Sequence, residues 1–179
     1  MNRRSVFVFA AIAMWMLACR ADSKNDALAV QHTVLRYAQL LTVGYAEMNM
    51  TQLQAVATEE QALKAYRHMS ALGESKIRME SHLEDIEFTD IHLSNKIRAR
   101  VTTREKWNYT HIGTDPKMPS QRVVEGLVYN LTYELVRRDG KWLVSSVSIL
   151  GGDRTSAPAT TDNTTLKGPD FKCQGANAI

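Results

Sequence analysis

Apolar residues in this chain recur every three or four positions before Ser75 and every second position after it. The first spacing lays them along one stripe of a helix, the second along one face of a strand. A chain that must satisfy both in that order builds helices first and a sheet second. The sequence therefore predicts an α+β fold, with N-terminal helices packed on a curved, cone-shaped antiparallel sheet of about four strands.

The helical half has its own punctuation. Val30, Val34, Tyr37 and Leu41 make one apolar stripe, which predicts a helix from about Asp26 to Val43. Asn25 or Asp26 can cap its start, and Gly44 can supply a left-handed residue at its end. A short helix is predicted over 50–57, with Leu53 and Val56 inward. Thr58-Glu59-Glu60-Gln61 has the form of a capping box. The helix it opens carries Ala62, Tyr66, Met69 and Leu72 on its inner side and ends at Gly73.

In the second half, Ile77, Met79 and Leu83 alternate with Arg78, Glu80 and His82. The apolar phase then moves to Ile86 and Phe88 and on to Ile91 and Leu93, which predicts bulges. Ser94-Asn95 reads as a tight turn. Beyond it, Ile97, Ala99, Val101, Thr103, Glu105, Trp107 and Tyr109 share one face of a strand. Lys96, Arg98, Arg100, Thr102, Arg104 and Lys106 share the other. After a Pro- and Gly-bearing loop over 113–120, a strand over 123–136 places Leu127, Tyr129, Leu131, Tyr133 and Leu135 on one face, with Glu125 between Val123 and Leu127. Asp139-Gly140 signals a hairpin, and 142–150 form the closing strand. Residues 151–179 are poor in large apolar groups and are expected to be disordered.

The extreme N-terminus reads differently from the rest. Arg3 and Arg4 precede Val6 to Ala18, 13 residues without a charged or hydrogen-bonding aliphatic side chain. That is short of the ~20 apolar residues of a membrane span and suits the core of a secretory signal. The ending Met16-Leu17-Ala18-Cys19 resembles a bacterial lipobox, with Met16 where Leu or Val is usual. The resemblance implies cleavage before Cys19, lipid on that cysteine, and a protein anchored at the periplasmic face of the outer membrane. The expected organisation is a signal peptide over 1–18, a lipidated tether over 19–25, one domain over 26–150 and a tail over 151–179. Cys173 would then be a leftover cysteine, either a free thiol or the partner in an intermolecular disulfide.

Charge narrows the function classes. The formal net charge of +3 comes from 22 Lys and Arg against 19 Asp and Glu. Losing Arg3 and Arg4 leaves 20 against 19, a net of +1, so nothing favours a nucleic-acid partner. His32, His68, His82, His92 and His111 form no ligand spacing and no cysteine pair supports them, so no metal and no cofactor are expected.

Helices followed by a meander whose last hairpin runs Tyr129-Asn-Leu-Thr-Tyr133-Glu-Leu-Val-Arg-Arg-Asp-Gly140-Lys-Trp142-Leu-Val-Ser-Ser-Val147 resemble the nuclear-transport-factor-2-like superfamily. The resemblance spans about Asp26 to Leu150. It implies a cone of bent sheet around a long helix, and a homodimer through the sheet face as one arrangement. It leaves function open, since enzymes, binders and scaffolds share the fold.

Two sets of residues are candidate sites. Tyr37, Glu105, Trp107, Tyr109, Glu125, Tyr129 and Tyr133 would line the cone, either as packed core or as a pocket for a small apolar ligand. A carboxylate buried there, Glu105 or Glu125, would be the base of a small lyase or isomerase, with Tyr129 or Tyr133 as donor. Lys96, Arg98, Arg100, Arg104 and Lys106 would form either a face for an anionic surface or acidic partner, or a solvated face countered by Glu80, Glu84, Glu87 or Glu134. The reading favoured by the sequence is a non-enzymatic, lipid-anchored binding or scaffold module. The alternatives are the lyase or isomerase, and a structural subunit of an envelope complex.

Overall fold

The computed structural model describes residues 3–117 and 120–150, with side chains from residue 24 onward. The expected disordered tail and the side chains of Cys19 and Cys173 lie outside the described residues. The elements are helix α1 (Arg3–Glu47), a 3-10 turn (Thr51–Ala55), helix α2 (Glu59–Glu74), and strands β1 (Ile77–Ser94), β2 (Arg98–Gly113), β3 (Gln121–Arg138) and β4 (Lys141–Ile149). The strands form one antiparallel sheet in the order β1-β2-β3-β4, with the helices packed on it. This is the α+β arrangement expected from the change of period.

α1 is longer than its apolar stripe. It runs unbroken through 19–25, where a tether was expected, because nothing there breaks a helix and no Gly or Pro occurs before Gly44. Asp26 is consequently not a cap. Its carboxylate accepts from Arg137 Nη1 at 3.0 Å, tying α1 to the β3–β4 hairpin. Gly44 is not the C-terminal residue either. A Cβ there would lie 2.5 Å from the Met50 sulfur, so the glycine lets the chain fold back closely, and Met48 takes the left-handed conformation instead. Among the described residues no helix is long and apolar enough to cross a membrane.

Val30, Val34 and Tyr37 of the predicted stripe are buried, Leu41 is only partly so, and Ala38 and Leu40, outside the stripe, are buried with them. Thr58 caps α2, its side chain accepting from the Gln61 backbone N–H. The inner face of α2 is Gln61, Ala62, Ala65 and Met69, which moves Tyr66 off it, 51% exposed. The segment before α2 clasps the sheet edge: Thr58 N–H donates to Val144 O at 2.9 Å, and Val144 N–H donates to Val56 O at 2.8 Å. That covers the β4 edge, which would otherwise be open to another strand.

The phase slips in β1 are register shifts between Leu83 and Asp85 and between Phe88 and Asp90. Asn95 and Lys96 both have positive φ and form the β1–β2 turn. Ile97 therefore lies in the turn and is exposed, not on the inner face of β2, and Lys96 leaves the basic row. A third shift separates Trp107 and Tyr109 on β2 from Leu127 and Val124 on β3. Gly126, at φ 68°, occupies it, and its N–H donates to Asn108 Oδ1 at 2.7 Å. Asp139 and Gly140, both with positive φ, make the last hairpin.

Candidate functional site

Glu105 is the chemical centre of the interior. Strand alternation points it inward between Thr103 and Trp107, and it is 0% exposed. Its Oε1 accepts from Thr103 Oγ1 at 2.7 Å and from Tyr133 Oη at 2.7 Å. Its Oε2 accepts from Trp107 Nε1 at 2.7 Å. Three neutral donors from two adjacent strands thus hold one carboxylate, with no cation in the set. Buried polar groups persist when every one is paired, and this network meets that condition.

A second layer surrounds it. Tyr133 packs edge-on against Tyr37 of α1, with ring centroids 6.2 Å apart. The Tyr37 hydroxyl accepts from Gln61 Nε2 of α2 at 2.8 Å, so one chain of contacts joins β2, β3, α1 and α2. Burial pushes the Tyr133 phenol well above its ordinary pKa, and the Glu105 charge pushes it further the same way. Burial raises Tyr37 too, with the Gln61 hydrogen bond opposing. Both phenols stay protonated at any ordinary pH, and Tyr133 spends its proton on Glu105.

Of the expected pocket residues, the structure brings together Tyr37, Glu105, Trp107, Tyr109, Tyr129 and Tyr133. Trp107 stacks on Tyr109 (5.9 Å, 19°), and Tyr129 meets Tyr109 edge-on (6.4 Å, 79°). Glu125 is not among them. The bulge at Gly126 breaks the alternation just after it and leaves it exposed. A general base must present a free lone pair to its substrate. Glu125 lies outside the cone, and Glu105 has its oxygens occupied and no solvent-facing surface.

Farther along the same face, Tyr45 and His68 meet. The Tyr45 hydroxyl and His68 Nδ1 share a hydrogen bond of 2.6 Å, whose direction is set by the tautomer of the ring. Burial lowers the pKa of His68 and, with Arg122 and then His68 as further causes, that of His111. The sign follows. Both rings are held neutral in the fold, so their contribution is complete above the ordinary value of 6.5 and is lost as pH falls through that value toward the lowered one. Unfolding followed between about pH 8 and 5 is expected to show stability falling on the acid side, with a shallower fall in His68→Asn. A wild-type curve that is flat across that window contradicts the Tyr45–His68 pairing.

Half of the basic row on β2 is countered. Arg100 Nε pairs with Glu134 Oε1 at 2.6 Å, and Lys106 Nζ with Glu84 Oε2 at 2.6 Å. That second pair raises the Lys106 pKa and lowers that of Glu84. Arg98 and Arg104 are exposed, and among the described residues no carboxylate pairs with them. The row is thus a cross-strand lattice with two cations over. Among the described residues no group of three or more His, Cys, Asp and Glu could hold a metal ion.

Sequence reasoning missed a concavity outside the cone. It has a volume of about 250 Å³ and is lined by Met48, Met50, Met69, Tyr66 and Leu63, with Glu59 at its edge. The only signal for it was Tyr66, too large and apolar for the solvent side of α2.

No protein-family model matches the chain, and no curated protein matches its sequence. Its fold does match solved structures. It is similar to the intermembrane-space region of the chloroplast protein ARC6, at a TM-score of 0.61 and 13% identity over 70% of this chain and 97% of that one. It is similar to a hexachlorocyclohexane dehydrochlorinase, LinA type 2, at 0.50 and 11% over 76% and 99%. An Ntf2-like protein involved in plasmid conjugation matches at 0.43 and 11% over 73% and 50%. The chain has the fold of the nuclear-transport-factor-2-like superfamily. At these identities the likeness defines the fold and leaves activity to the site.

Proposed function

We propose that this chain is a non-enzymatic binding module of a bacterial envelope, held at a membrane by lipid on Cys19. The observation that carries the reading is Glu105. Among the described residues it is the one fully buried carboxylate; its Oε1 accepts from Thr103 and Tyr133, its Oε2 from Trp107, and it is closed to solvent. A residue so placed organises a core: three of its four lone pairs accept hydrogen bonds, and the carboxylate has no surface open to a substrate. The likeness in fold to a region that works in an intermembrane space supports the envelope setting. The Met16-Leu-Ala-Cys19 ending supports the anchor. Two or three acyl chains, each adding about 0.8 kcal/mol per buried methylene, would hold the module at the bilayer without a spanning helix.

Expression in a Gram-negative host tests this. The wild-type protein is expected in the membrane fraction with an N-terminal mass matching diacylated or triacylated Cys19, and Cys19→Ser in the soluble fraction. An unmodified Cys19 in membrane-extracted protein overturns the anchor.

A further inference from the structure

One end of the sheet gathers basic side chains that neither the core nor the cross-strand lattice uses. The last pair of the β3–β4 hairpin is Arg138 opposite Lys141. Arg98 of β2 stands opposite Val136, two residues before Arg138 on β3, so strand alternation puts Arg98, Arg138 and Lys141 on one face. All three are exposed, and among the described residues no carboxylate pairs with them. The acids nearby do not answer them. Asp26 is held by Arg137 at 3.0 Å, and Asp139, in the turn itself, pairs with neither neighbour. Like charges directly opposite each other weaken a strand pair, so folding gains nothing from setting Arg138 against Lys141. Beside them Ile97, 56% exposed, stands in the β1–β2 turn. Its carbonyl accepts from the Arg137 N–H at 2.8 Å, which joins that turn to the hairpin.

The same end of the sheet is where the chain arrives from Cys19. The Asp26–Arg137 pair ties α1 to the hairpin, and the helix is continuous back through residue 19. Seven helical residues separate Asp26 from Cys19, a rise of about 10 Å. Lipid on Cys19 would therefore bring this end of the sheet to the bilayer and leave the C-terminal end of α1 pointing away from it. We propose that Arg98, Arg138 and Lys141, with Ile97 beside them, form a docking face for the anionic phospholipid headgroups of the membrane that holds the anchor. Charge complementarity favours that occupant, since the face has cations and no acid paired to them. Distance favours it too, because the separation is close to the Debye length of about 8 Å at physiological salt. Each basic residue near an anionic surface raises affinity about fivefold, so three of them would give a domain on a single anchor a fixed orientation. Ile97 supplies an aliphatic side chain able to enter the interface between headgroups. This deepens the reading of the chain as a membrane-anchored module and rests on it for the placing of the sheet.

The test places the protein, purified from membranes, in nanodiscs of phosphatidylcholine alone or of phosphatidylcholine mixed equally with phosphatidylglycerol. Each disc carries a headgroup spin label, and NMR reads the paramagnetic broadening of backbone amides. Broadening at Ile97, Arg98, Arg138 and Lys141 is expected to be about fivefold or more stronger in the anionic discs. High salt should return it to the phosphatidylcholine level. Arg98→Gln, Arg138→Gln and Lys141→Gln together should abolish the difference without unfolding the chain, since all three residues are exposed. Arg98→Lys with Arg138→Lys should keep it, because a field of headgroups reads charge and not the guanidinium fork. Equal broadening in the two compositions overturns the proposal, as does broadening centred on α2 or a difference that survives the triple substitution. The two readings fail separately. Acylated Cys19 with broadening indifferent to lipid charge would overturn the docking face and leave the anchor standing. Unmodified Cys19 with charge-dependent broadening at these four residues would overturn the anchor and leave the face standing.

Discussion

Glu105→Leu is expected to destabilise the fold by about 3–5 kcal/mol. The leucine fills most of the space but accepts nothing. The hydroxyls of Thr103 and Tyr133 and the indole N–H of Trp107 then lose their acceptor inside a closed core. Each orphaned donor costs roughly 1–3 kcal/mol, less for hydroxyls that can rotate toward other acceptors. A competing effect favours the substitution, since a buried charge without a cation is costly to desolvate. Orphaning three donors outweighs it, because the carboxylate's cost is already offset by the three bonds it receives. Glu105→Gln separates the effects. Its oxygen can keep Thr103 and Tyr133, while its amide group faces the Trp107 N–H donor to donor, for a loss of roughly 1–3 kcal/mol. Adding Trp107→Phe should then recover part of that loss in a double-mutant cycle. Urea unfolding reads all three variants, and Glu105→Leu as stable as wild type would contradict the account.

Leu53→Ala is expected to cost about 2–5 kcal/mol, the usual range for a leucine emptied from a packed interior. Leu53 is 1% exposed, although it sits in a turn of five residues with no side-chain cap. So short a 3-10 turn has little stability of its own. The Leu53 side chain seats it, and the Leu53 carbonyl accepts the N–H groups of Val56 and Ala57 that begin the clasp on β4. The midpoint of thermal unfolding should fall by roughly 2–4 °C per kcal/mol lost. Amide exchange should speed first at Thr58 and Val144, whose hydrogen bonds form the clasp. Exposed Gln52→Ala, one residue away, should stay within about 0.5 kcal/mol of wild type. Equal effects from the two substitutions would show that the turn is not seated by Leu53.

Where a local rule sets the structure, the residues announced it. The Val30–Val34–Tyr37 stripe, the Thr58 cap, the slips in β1 and the Asp139-Gly140 turn all depend on neighbours a few positions away. The inward direction of Glu105 was legible for the same reason. Its partners were only partly so. Thr103 and Trp107 flank it at two residues' distance, but Tyr133 reaches it from another strand, 28 positions on. The misreadings have one cause, a choice that local rules leave open and long-range packing decides. Gly44 could cap a helix or admit Met50, and Met50 decided. Asp26 could cap α1 or pair with Arg137, 111 positions away, and a helix continuing upstream decided. Gly126 could sit flat in β3 or bulge, and Asn108 across the ladder decided, turning Glu125 outward. Gln61 carries no apolar signal at all. It belongs to the core because the Tyr37 hydroxyl needed a donor.

The central claim is that Glu105 is a closed structural acceptor, and the Trp107 indole proton reports on it most directly. Its hydrogen exchange can be followed by NMR in the folded wild-type protein. The account predicts exchange as slow as that of the most protected backbone amides of β2, and faster exchange in Glu105→Gln. A Trp107 indole that exchanges in the wild type as readily as an exposed one would show that solvent reaches the carboxylate, and would return Glu105 to the list of groups able to do chemistry.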